Sequence, residues 1–164
     1  MLTLILMRHA KSSWDRPGPD HDRPLNPRGT RSSRAMGDWL RTHEFLPDTA
    51  LSSTSRRTME TFEGLALQCP VSFTKALYHA DAADMMGVLR GASGQTVLML
   101  GHNPGIADFA EQLVSQTPDH PRFFDYPTCA TLVATFDAAT WQDVEWHSGT
   151  ATVFAIPREV MAED

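Results

Sequence analysis

Leu2–Met7 reads LTLILM, an almost unbroken apolar run that breaks off at Arg8-His9. A strand with one wet face alternates apolar and polar residues. A run without alternation must be buried on both faces, and that requires a sheet covered by helices on each side. Thr96–Leu100 (TVLML) is a second run of this kind, introduced by Ser93-Gly94-Gln95 and followed by Gly101-His102. Between and after these runs the pattern switches repeatedly between strand and helix periods. The chain is therefore expected to be an α/β protein with a mostly parallel sheet.

The remaining elements follow from local signals. Residues 12–27 form a polar loop with Pro17, Gly18, Pro19 and Pro24, ending in Asn26-Pro27. Asn26 suits a helix N-cap and Pro27 the first helical position. That helix is expected to run to about His43, with Ala35, Met36, Trp39 and Leu40 on one face and Arg31, Arg34 and Arg41 away from it. Thr49–Ser52 reads as a short strand, and Ser53–Ser55 leads into a helix with Met59, Phe62 and Ala66 on one stripe. Val71–Phe73 reads as another short strand, and Ala82–Leu89 as a helix burying Met85, Met86 and Leu89 as core filler. A helix with Ile106, Phe109, Ala110 and Leu113 inward follows Gly101–Gly105. Thr128–Phe136, Val144–Trp146 and Thr152–Ile156 complete the strands, with Gln116–Pro127 as a loop.

The 164 residues suit one domain, expected over 1–164, and 41% hydrophobic content supports one packed core. The formal net charge of −6 gives no general attraction for nucleic acid or anionic membrane. An anion handled by this chain needs a local cationic pocket. Cys69 and Cys129 share no metal-ligand spacing and read as two free thiols of a reducing compartment rather than a long-range disulfide. With no basic leader and no long apolar span, the expectation is a cytoplasmic protein.

In an open α/β sheet, ligands bind beyond the carboxyl ends of the strands. That rule brings Arg8, His9, Arg56 or Arg57, and His102 to one rim. Two guanidiniums and two imidazoles without a carboxylate make a poor metal site and a good oxyanion site. No metal and no cofactor is called for. Gly101 and Gly105 are expected to let backbone approach closely. Cationic neighbours should lower the pKa of a histidine in such a cluster and keep it neutral, as a nucleophile requires.

The motifs then become recognisable. Leu6–Trp14 resembles the RHG signature of the histidine phosphatase superfamily, with Ala10 in place of glycine. Asp22–Gly29 (DRPLNPRG) resembles the family's DRPL stretch, and Ser52–Thr61 (SSTSRRTMET) its SSPxxRxxxT stretch. Gly101–Gly105 (GHNPG) is similar to the second-histidine motif, and Pro127–Ala130 (PTCA) to a late PTxA motif. The order and spacing look most like the short phosphohistidine phosphatases of the SixA type. The resemblance implies a single-domain, three-layer α/β sandwich of the phosphoglycerate mutase-like kind, without a large cap insertion.

The resemblance makes His9 the nucleophile, Arg8 and Arg57 the phosphate-binding arginines, and His102 the second histidine. Arg57 is preferred over Arg56 because Thr61 lies four residues beyond it. Lys11, Ser12 and Asn103 could line the pocket; Asn103 could equally cap the turn into its helix. The implied chemistry is metal-independent hydrolysis through a phosphohistidine. Larger relatives place a glutamate after the third strand to protonate the leaving group. Here Ala76–Asp84 contains none, and His79 and Asp81 are the candidate acids, Asp81 being equally placed to cap the following helix. A phosphohistidine needs less help to leave than an alkoxide does, so the missing glutamate favours a phosphorylated protein (phosphohistidine) as partner and substrate. The alternatives are a broad small-molecule phosphomonoesterase or a non-catalytic phosphoprotein-binding domain. His21 is expected to be solvent-exposed, His147 to sit in a late strand, and Trp141 and Trp146 to be buried.

Overall fold

The structure is a computed structural model that describes residues 1–162; the last two residues of the expected 1–164 domain lie outside them. Six strands form one mixed sheet in the order β3-β2-β4-β1-β5-β6. They are β1 (Leu2–Arg8), β2 (Thr49–Ser53), β3 (Val71–Thr74), β4 (Thr96–Gly101), β5 (Thr131–Phe136) and β6 (Thr150–Ala155). The first four run parallel, and β5 runs antiparallel to both β1 and β6.

The two apolar runs lie side by side in the middle of the sheet, and alternate residues feed two cores. Leu4, Leu6, Val97 and Met99 face α3 (Ala82–Arg90) and α4 (Gly105–Leu113), among Met85, Phe109 and Leu113. Ile5, Met7, Leu98 and Leu100 face α1 (Pro27–Thr42), α2 (Arg56–Leu65) and α5 (Pro157–Ala162), among Met36, Trp39, Leu40 and Leu65. All eight strand residues are fully buried, each contributing about 1.5–3 kcal/mol against exposure. This is the three-layer α/β architecture expected. α1 opens as expected, with Asn26 Oδ1 accepting from the Gly29 amide at 2.8 Å and Pro27 at the first helical position.

Four expectations need correction. In α2 the buried residues are Arg57, Thr58, Thr61 and Leu65, while Met59 is 43% exposed and Ala66 is a left-handed C-cap. The helix turns a largely polar face inward because that face builds a site; of the expected stripe, only Phe62 packs, partly buried, against the core. Residues 128–130 precede β5 as a turn in which Cys129 has φ 62°. Val144–Trp146 is no strand. A 3-10 turn, Trp141–Asp143, is pinned there by the indole Nε1 of Trp141 donating to the Gly94 carbonyl at 2.7 Å, and His147 sits in an exposed turn after it. α5 has no counterpart among the expected elements. Both cysteines are free, with Cys129 buried.

Candidate active site

Parallel register brings the two histidines together. Arg8 pairs with Gly101 across β1 and β4, so His9 and His102 leave neighbouring strands at the same level. The His9 amide donates to the Gly101 carbonyl at 3.1 Å, and the ring centroids stand 5.2 Å apart. β2 ends one strand further over, where Ser53 Oγ lies 2.9 Å from His102 Nε2. Ser55 then caps α2, accepting from the Thr58 amide, and Arg57 follows in the first helical turn. Thr61 fastens this turn to β1: its Oγ1 donates to the Arg57 carbonyl at 2.7 Å and accepts from the Ala10 amide at 2.9 Å.

The backbone contacts fix both tautomers. His9 Nδ1 lies 2.7 Å from the Ala10 carbonyl, which can only accept, so Nδ1 carries the proton and Nε2 the lone pair. Arg57 Nη2 lies 3.3 Å from His102 Nδ1 and can only donate, so His102 carries its proton on Nε2 toward Ser53. Both rings are about nine-tenths buried. Burial is the main cause lowering His9 well below the usual imidazole range, with His102, Arg8 and Arg57 adding to it. Burial also leads for His102, followed by Arg57, and pushes it down to about 3. The direction matches the expectation, but desolvation outweighs the cationic neighbours.

The pocket these groups share has a volume of about 270 Å³ and includes Arg8, His9, Arg57 and His102. Arg8 Nη1 donates to the Tyr126 carbonyl at 3.1 Å. The Nε atoms of Arg8 and Arg57 are buried and have no hydrogen-bond partner among the described residues. Buried donors of this kind call for an acceptor. Arg56 points elsewhere and pairs with Glu60 at 3.0 Å on the outer face of α2.

The other expected residues divide. Lys11 and Ser12 line the pocket, with Ser12 Oγ accepting from Arg23 Nη1 at 2.6 Å. Asn103 also lines it but does not cap α4; its Nδ2 donates to the Asp125 carbonyl at 2.8 Å, and its Oδ1 is buried without a partner among the described residues. His79 stands exposed at the pocket edge with φ 57°. Asp81 is absent from that pocket's lining and closes a capping box on α3, accepting from the Asp84 amide at 2.8 Å. Gly105 makes the close approach expected of it, since a β-carbon there would collide with the Ala80 carbonyl oxygen; Gly101 does not need to be glycine for that reason. His21 is half-buried rather than exposed, with Nε2 2.8 Å from Thr54 Oγ1.

Of the pocket's wall, sequence reasoning nominated Ser12 and missed Asp20, Arg23 and Tyr78. Asp20 receives the Arg57 Nη2 at 3.0 Å, the Arg23 Nε at 3.0 Å and the Tyr78 hydroxyl at 2.6 Å. Burial pulls its carboxyl upward, but the Tyr78, Arg23 and Arg57 hydrogen bonds win and hold it well below the usual carboxylate range. Trp14, 74% exposed, lies under the Arg23 guanidinium at 3.5 Å. Arg23 sat inside a recognised motif and could have been nominated; Asp20 and Tyr78 gave no periodic or spacing signal.

Comparison with known proteins agrees with this geometry. The sequence model of the histidine phosphatase superfamily (branch 1) matches residues 4–90, more than half the chain. An uncharacterised protein of Mycobacterium leprae is 34% identical over 162 residues, covering 93% of this chain and all of that one. The structure of a protein of Nakamurella multipartitia, assigned as the phosphohistidine phosphatase SixA, superposes with TM-score 0.83 at 27% identity, over 95% of this chain and 96% of that one. The protein histidine phosphatase SixA complexed with tungstate shares the fold at TM-score 0.78 and 22% identity, over 97% of this chain and 99% of that one. The chain thus belongs to the histidine phosphatase superfamily, branch 1, and is a phosphatase.

Proposed function

We propose that the protein removes phosphate from phosphohistidine in a protein substrate, without a metal, through a phosphohistidine formed on His9. The observation that carries this reading is a buried imidazole with a free Nε2 lone pair, facing the same small pocket as two guanidiniums with unpaired buried N–H groups. His9 Nε2 attacks phosphorus in line, and the bond from phosphorus to the substrate nitrogen breaks. The departing imidazole takes its proton from water or from His79. Water then attacks the phosphorylated His9, the P–Nε2 bond breaks, and phosphate leaves with neutral His9 restored. Arg8 and Arg57 hold the equatorial oxygens, and His102 fixes the inner edge of Arg57. Such positioning and electrostatic stabilisation is the main catalytic resource in phosphoryl transfer.

The acid side of the site supports a substrate with an easy leaving group. Asp20 is held ionised by its three donors, and Asp81 is committed to its cap. The loop after β1 walls one side of the pocket through Asp20 and Arg23, and the pocket opens to solvent where Trp14 and His79 stand exposed at its edge. An uncovered pocket admits a side chain carried on a protein surface. No helix among the described residues is long and apolar enough to cross a membrane.

The test is phosphate release from a histidine-phosphorylated protein, with an alkyl phosphate run in parallel and EDTA present. Fast release from phosphohistidine alone, abolished by His9→Ala, is expected. Equal release from the alkyl phosphate would establish the small-molecule phosphomonoesterase instead, with His79 as its acid. No release from either would leave a phosphoprotein-binding domain.

A further inference from the structure

Beside the phosphate pocket, sharing Arg8 and Lys11 with it, runs a second groove of about 360 Å³. Arg28 from the first turn of α1, Arg122 from the loop before β5, and Arg158 from the start of α5 complete its cationic lining. One carboxylate, Asp125, stands against these five cations, and it is engaged by Arg122 at 3.0 Å. Lys11, Arg28 and Arg158 have no ion-pair partner among the described residues. In a chain of net charge −6, so many cations facing one groove require an explanation. Helix folding does not provide it, because a cation in the first turn of α1 opposes the helix dipole.

One exposed aromatic stands at the edge of the adjoining phosphate pocket. Trp14, which lines the phosphate pocket, is 74% exposed. Exposed aromatics beside arginines are the composition of protein-binding hot spots. An open, basic groove beside an exposed tryptophan fits an acidic polypeptide better than a small molecule that needs enclosure.

We propose that this groove binds aspartate and glutamate side chains flanking the phosphohistidine of a substrate protein, while the phosphoryl group occupies the adjoining pocket. The proposal rests on the phosphohistidine reading above and adds what selects the substrate. Arg8 stands between the two sites, so an acidic flank docked in the groove sets the phosphoryl group in register with His9.

The experiment uses two peptides phosphorylated on a single histidine by phosphoramidate, identical except that flanking positions are Asp and Glu in one and Asn and Gln in the other. An alkyl bisphosphate and its monophosphate are run alongside. The acidic peptide is expected to exceed the neutral one by about tenfold in kcat/KM at low salt, through KM, and to lose that advantage as salt rises. In the double variant Arg28→Glu, Arg158→Glu the ratio should fall to one or below, and in the milder Arg28→Ala, Arg158→Ala it should fall part of the way. The neutral peptide reports whether each variant still folds and turns over. Equal rates for the two peptides, or a ratio that survives charge reversal, overturns the proposal and leaves the phosphohistidine reading intact. A preference seen only for the bisphosphate overturns it too, by assigning the groove to a small molecule. Release from alkyl phosphates with none from either peptide overturns the phosphohistidine reading, and this proposal with it.

Discussion

The floor and the wall of the pocket are built in different ways. The floor consists of Arg8, His9, Arg57 and His102, which leave strand ends and a capped helix start. Their positions follow from backbone pairing: Arg8 against Gly101, and the His9 amide on the Gly101 carbonyl. The wall consists of Asp20, Arg23, Tyr78 and Ser12, drawn from the loop after β1 and the turn after β3. Its members meet through side-chain hydrogen bonds, most of them converging on one carboxylate. A floor held by the sheet tolerates loss of a neighbour, whereas a wall held by one carboxylate does not. In the proposed mechanism, chemistry belongs to the first and arrangement to the second.

That contrast predicts a ranking of effects. His9→Ala should abolish turnover, since it removes the covalent path, while leaving the fold intact; phosphate release and a thermal melt check both halves. Arg57→Ala should lower kcat by about 10²–10³-fold, the scale set by losing one preorganised donor to a charged transition state. If Arg57→Ala cost no more than a wall substitution, the division between floor and wall would fail.

Asp20→Ala should lower kcat/KM by about tenfold, because Arg57 and Arg23 lose a charged acceptor at a position still open to solvent. Tyr78→Phe, which removes one of the three donors, should cost less, about threefold. Larger losses there would move Asp20 or Tyr78 from the wall into the chemistry.

The buried imidazoles make a prediction about stability against pH. Both are neutral in the folded protein and protonate in the unfolded chain below about 6.5. The unfolded state then binds more protons, so stability falls as pH drops through that value. Each histidine contributes about 1.4 kcal/mol per pH unit, until its folded pKa is reached. For His102 that limit is about 3, so its share is lost between about 6.5 and about 3. Urea unfolding between pH 7 and pH 5 should show this slope, reduced in His102→Gln; an unchanged slope would mean His102 is not held neutral. The smallest effect belongs to Asp81→Asn, which keeps a good N-cap and should change turnover less than about twofold. A large loss there would restore Asp81 as an acid.

The same contrast explains what the sequence revealed. Apolar runs buried on both faces announced β1 and β4; the rule that ligands sit beyond strand ends brought Arg8, His9, His102 and either Arg56 or Arg57 to one rim, and the motif resemblance, through Thr61, chose Arg57. Most of the wall beyond Ser12 was illegible because Asp20 and Tyr78 are 58 residues apart and meet through a turn and a loop that carry no periodicity. The buried stripe of α2 was misread for a related reason. Burial there serves Arg57, Thr58 and Thr61, polar groups satisfied by Asp20, Ser53 and Ala10, so apolar spacing pointed to the outer face. Val144–Trp146 has strand-like composition, but Trp141 is pinned to Gly94 and the chain turns before it can pair.

The central claim is that phosphate passes through His9. The direct measurement is a rapid acid-free quench of the protein mixed with substrate protein carrying labelled phosphohistidine, followed by mapping of the labelled residue. The account predicts transient label on His9, stable to alkali and lost in acid, draining into free phosphate and absent from His9→Ala. Turnover without a labelled protein, or label appearing on His102 in place of His9, would contradict it.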